Sequence, residues 1–132
     1  MTTISLAARN SVVLITGTEG ARIPDSLGGK LVVATSSCIA VGTRNEADGK
    51  TSITLTDETC AAFGCQERGL QRVFSGVLET PERELVVRTV LLQTAAKLPV
   101  LKDLTRIEVF TNDESEPDNI CIVARPENDQ QA

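Results

Sequence analysis

Thr105-Arg106-Ile107-Glu108-Val109-Phe110-Thr111 alternates polar and apolar side chains, and Ile120-Cys121-Ile122-Val123-Ala124 is apolar throughout. Between them lies Asn112-Asp113-Glu114-Ser115-Glu116-Pro117-Asp118-Asn119. A period of two puts Ile107 and Val109 on one face of a strand and Arg106 and Glu108 on the other. The Asn, Asp and Pro of the middle stretch are turn chemistry. The three pieces therefore predict two strands joined by a polar loop, with Ile120 and Ile122 meeting Ile107 and Val109 in a core.

The same signature recurs outward from this unit. Short apolar or alternating runs appear at Val12–Thr16, Leu31–Thr35, Cys38–Thr43, Ser52–Thr56, Gln71–Leu78 and Glu84–Leu92, separated by clusters of Gly, Pro, Asp and Asn. Few windows hold a helical repeat. The expected fold is all-β: an antiparallel β-sandwich or open barrel of about eight strands, with at most one short helix. That helix would start at Asp57-Glu58-Thr59, run through Cys60-Ala61-Ala62-Phe63 and stop at Gly64. Residues 18–30, with Gly20, Pro24, Gly28 and Gly29, read as a long loop. The 132 residues suit one domain, with 11–124 as its ordered core and 125–132 as a polar tail expected to fray.

Turn chemistry also suggests pairing. Asp48-Gly49 accepts the positive φ of a hairpin, so Cys38–Thr43 is expected to pair antiparallel with Ser52–Thr56. Pro81 presets a turn between the strands on either side of residues 79–83. Ile39, Val41, Ile53, Leu55, Leu85 and Val87 should face the core, and Thr54 and Arg88 should face water. Phe110 falls on the outer side with Arg106 and Glu108. A large exposed aromatic is a candidate contact residue; the plainer alternative is that the ring folds over a rim of the core.

Composition limits the chemistry. Apolar residues make up 41% of the chain, yet there is no Trp, no Tyr and only three Phe, so aliphatic side chains must fill the core. The chain has no His, which removes His-based acid/base catalysis, Ser-His and Cys-His nucleophile pairs and most mononuclear zinc sites. Cys38, Cys60, Cys65 and Cys121 are read as thiols of a reducing compartment rather than disulfides. Four thiolates would suffice for zinc only if all converged. The Gly-rich stretches at 17–20 and 27–31 lack a dinucleotide or Walker pattern, and Arg44 and Leu55 occupy the positions where a calcium loop around Asp48-Gly49 needs ligands. No cofactor and no metal is expected.

No basic stretch leads into a long apolar one near Met1, and no apolar run approaches the roughly 20 residues that cross a bilayer, so a cytosolic location is expected. The net charge of −5 disfavours nucleic acid or anionic membrane and favours a basic protein as partner. Asp113, Glu114, Glu116 and Asp118 concentrate that charge beside Phe110. They read as a solvated turn, as a docking loop presenting carboxylates to Lys and Arg, or as a weak magnesium or calcium site with no Gly to fold it.

In order, the strand Val12–Thr16, the stretch Cys38–Thr56, the turn-linked pair Val73–Leu78 and Leu85–Val90, and Arg106–Thr111 entering a polar loop before the last strand resemble the layout of the competence protein J family. The likeness covers most of residues 12–123. It implies a β-sandwich that inhibits a nuclease by binding it, and the acidic balance agrees.

The expected function is therefore a non-catalytic, acidic, cytosolic binding protein of inhibitor or immunity type. It would mask a basic partner such as a nuclease through Phe110, Asp113, Glu114, Glu116 and Asp118. Two rivals are a carrier or sensor with an apolar pocket between its sheets, and an assembly subunit that uses an exposed strand edge at Leu85–Leu92.

Overall fold

The computed structural model describes residues 1–59, 62 and 64–127. These form ten strands: β1 (Thr2–Leu6), β2 (Val12–Thr16), β3 (Val32–Ala34), β4 (Cys38–Gly42), β5 (Thr51–Thr56), β6 (Gln71–Glu79), β7 (Glu84–Arg88), β8 (Thr94–Pro99), β9 (Leu104–Thr111) and β10 (Asn119–Pro126). One sheet has the order β1-β5-β10-β9-β6 and the other β3-β4-β2-β7-β8. The all-β sandwich is thus observed, with two strands more than the alternation revealed. One of them, β1, lies outside the 11–124 core. At the other end β10 reaches Pro126, and Arg106 holds Glu127 through two hydrogen bonds of 3.1 and 3.2 Å.

Alternation builds the core as expected. Ile107, Val109, Ile120 and Ile122 are fully buried, and Ile122 sits opposite Val109 across the β9–β10 pair. Ile39, Val41, Ile53, Leu55, Leu85 and Val87 join them in one aliphatic cluster with Val13 and Ile15. Such interdigitated side chains fill the space between the sheets and supply the main driving force for folding.

Two expected pairings are corrected. β4 does not pair with β5: it lies between β2 and β3 in one sheet, while β5 lies in the other between β1 and β10, parallel to β10. The physical reason is in the connection. Asn45 caps a 3₁₀ turn at Glu46–Asp48 by accepting the Ala47 N–H at 2.8 Å, and Gly49 then takes φ 127°, ψ −167°, an extended conformation open to glycine. The chain crosses the sandwich here, donating from Arg44 N–H to the Pro117 carbonyl and from Ser52 N–H to the Asp118 carbonyl.

The turn at Pro81 forms, with the Arg83 N–H donating to the Thr80 carbonyl at 2.9 Å, but it too carries the chain from one sheet to the other. Buried Thr80 anchors the corner: its hydroxyl donates to the Lys102 carbonyl and lies 2.8 Å from the Thr105 hydroxyl. Gly17 packs so tightly against this corner that a Cβ would collide with the Glu79 carbonyl. β7 ends at Arg88, because Thr89–Gln93 forms a turn with Leu92 at φ 64°. It is flanked by β2 and β8, so Leu85–Leu92 presents no free edge.

Both outer faces are partly covered. Loop residues Ala21 and Leu27 pack on Leu14, Cys38 and Ala40 outside the β2–β4 sheet. Cys65 and Leu70 pack on Phe110, Cys121 and Val123 outside the β9–β10 pair. Thr54, expected in water, is 4% exposed and shares a 3.0 Å hydroxyl contact with Thr3. The expected short helix falls largely on Cys60, Ala61 and Phe63, outside the described residues; its proposed cap is seen where Thr59 Oγ1 accepts the Ala62 N–H. Among the described residues no helix is long and apolar enough to cross a membrane.

Candidate functional site: the acidic loop

The loop between β9 and β10 holds its shape through its own side chains. Asn112 Oδ1 accepts the N–H groups of Asp118 and Asn119, each at 3.2 Å, closing the base. Asp113 Oδ2 accepts the Ser115 N–H (3.1 Å), the Ser115 hydroxyl (3.2 Å) and the Glu116 N–H (2.8 Å). Such bonds favour the charged form, so the N–H groups of Glu116 and Ser115 and then the Ser115 hydroxyl hold the Asp113 carboxyl below its usual range. Asp118 accepts from Asn112 Nδ2 at 2.7 Å and pairs with Arg44 Nη1 at 3.4 Å. Pro117 is buried, and its carbonyl accepts the Arg44 N–H at 2.9 Å.

The four carboxylates thus divide into two pairs. Asp113 and Asp118 accept hydrogen bonds from the loop's own groups and so build its shape. Glu114 and Glu116 are exposed, and among the described residues no hydrogen bond or ion pair engages their carboxylates. Three open clefts surround this tip. One, of about 360 Å³, lies between Glu114, Glu116 and Lys30; a second, of about 330 Å³, between Glu114 and Gln71; a third, of about 280 Å³, between Glu116 and Asp48. The loop is a ridge with an open cleft on each of three sides.

Phe110 needs correction. It does lie on the outer face, opposite Cys121, but it is only 6% exposed because Cys65 and Leu70 cover it. The ring is core to a small outer cluster and is not available as a contact. Period-two alternation reports which face a side chain takes; it does not report whether another segment covers that face.

The thiols divide as well. Cys38 lies outside the β2–β4 sheet and Cys65 and Cys121 outside the opposite one, so these three cannot share one metal ion; Cys60 is outside the described residues. Burial raises the Cys38 pKa to about 11, which keeps it a neutral thiol. Among the described residues, no group of three or more His, Cys, Asp or Glu side chains converges to hold a metal. An apolar groove of about 450 Å³ exists, lined by Val12, Leu14, Ile23, Leu27 and Val90, but it lies outside the β2–β4 sheet rather than between the sheets.

Comparison with protein-family models, curated proteins and solved structures finds no match for this chain.

Proposed function

We propose that this protein is a non-catalytic binding protein whose acidic β9–β10 loop docks against a basic surface of a partner protein. The observation that supports this reading most is the division of labour among the carboxylates. Asp113 and Asp118 stiffen the loop, leaving Glu114 and Glu116 on a preorganised ridge with no internal partner. A loop backbone already held in shape loses little conformational entropy on binding, and a net charge of −5 steers a basic partner toward its carboxylates. Phe110 is not part of this interface. The resemblance to the competence protein J family would make the partner a nuclease and the cytosol the meeting place. The carrier alternative has less support, since aliphatic side chains fill the space between the sheets.

The test separates ridge from scaffold. Wild type and a Glu114→Gln/Glu116→Gln double variant are used to capture proteins from native cytosol at low and raised salt. The expected result is a basic protein retained by wild type, released by salt and missed by the double variant, whose thermal stability is unchanged because both side chains are exposed. Equal recovery by the two proteins would refute the proposal.

A further inference from the structure

Each sheet of a sandwich has two edge strands whose unpaired backbone groups invite another chain unless they are blunted. Here three of the four are blunted. β3 has three residues. β8 carries Lys97 and ends at Pro99, and β1 lies against it across the open side of the sandwich. β6 is different: it is nine residues long, with neither Lys nor Pro, and only a bulge at Arg72–Phe74 interrupts it.

The hydrogen-bond pattern identifies which groups β6 leaves open. The Glu79 N–H donates to the Ser36 carbonyl, away from β9, whereas the Thr80 N–H donates to the Asp103 carbonyl in line with β9. In an antiparallel ladder the direction alternates with each residue. Val77 and Ser75 therefore point the same way as Glu79, to the open side, and among the described residues nothing bonds their backbone groups there.

We propose that the β6 edge pairs antiparallel with β6 of a second copy of this chain, about a two-fold axis at Gly76. This centre sets Ser75 opposite Val77 of the second copy, and the two open residues of each chain then exchange four backbone hydrogen bonds. Centres one residue away would need the Glu79 N–H, already bonded to Ser36, or the bulged Val73. Gly76 meeting Gly76 allows close backbone approach, and each Phe74 ring already covers its own glycine, with Cζ 2.7 Å from where a Cβ would stand. Val77, 37% exposed in one copy, is covered in the pair. The loop from β9 lies at the Gln71 end of β6, so the two-fold axis directs the two acidic ridges to opposite ends of the dimer.

Sedimentation velocity from about 1 µM to about 1 mM tests this, since so short an interface is weak. Wild type should shift from monomer to dimer across that range. Val77→Pro should remain monomeric at every concentration: it removes an N–H that points away from β9, a position where an edge strand tolerates Pro. Ser75→Pro, which acts by the same logic, replaces it if Val77→Pro does not fold. A wild type that stays monomeric throughout, or a folded proline variant that dimerises like wild type, would overturn the proposal. Neither outcome depends on the acidic ridge.

Discussion

Phe110→Ala distinguishes a contact residue from a core residue by magnitude. Truncating a buried Phe costs about 3–5 kcal/mol, the lower end applying where neighbours can relax into the space. Phe110 belongs to a small cluster with Cys65, Leu70, Cys121 and Val123 under a single covering segment, so the lower end, about 3 kcal/mol, is expected. For 132 residues the unfolding entropy is about 0.28 kcal/mol/K, which makes that loss a fall in Tm of about 11 °C. The chain has no Trp and no Tyr, so calorimetry or circular dichroism is the suitable assay. An exposed contact residue would change stability by less than about 0.5 kcal/mol. A Tm within about 2 °C of wild type, combined with lost partner capture, would refute the burial argument.

Gly17→Ala forces a Cβ into the Glu79 carbonyl and Thr80 Cγ2, backbone and buried side chain that cannot simply swing away. A loss of about 1–3 kcal/mol is expected in urea unfolding, and an unchanged midpoint would show that the corner is slack. Asp113 has a folded pKa below its ordinary value of 3.8, so its contribution to stability is complete above that pH and is lost as pH falls through the lower folded value. The Tm gap between wild type and Asp113→Asn should hold steady near neutrality and narrow below about pH 4; a gap undiminished in acid would contradict the hydrogen-bond origin of the shift.

Strands were legible wherever side chains alternate sharply, as in Ile107-Glu108-Val109 and Ile53-Thr54-Leu55. β8 was not, because Thr94-Ala95-Ala96-Lys97-Leu98-Pro99 combines residues of low β propensity with a terminal proline, and only its place beside β7 makes it a strand. Pairing was legible for β9 and β10, joined by a loop that returns the chain upon itself. It failed at Asp48-Gly49 and Pro81, because a turn signal describes local φ and ψ, whereas the choice of sheet rests on aliphatic packing between residues far apart in sequence. The acidic ridge was visible as a charge run. Its division into structural Asp113 and Asp118 and available Glu114 and Glu116 depends on which hydrogen bonds form, and composition carries no record of that.

The position of β10 has a consequence for synthesis. Of the ten described strands, the last to leave the ribosome fills the middle of its sheet, parallel to β5 on one side and antiparallel to β9 on the other. Until residues 119–126 emerge, β1 and β5 cannot join β9 and β6, and two unpaired edges wait for a strand. That sheet therefore closes only once nearly the whole described chain is out, through contacts distant in sequence that fold slowly. A nascent chain halted before Asn119 would carry both open edges without the one segment that can seal them.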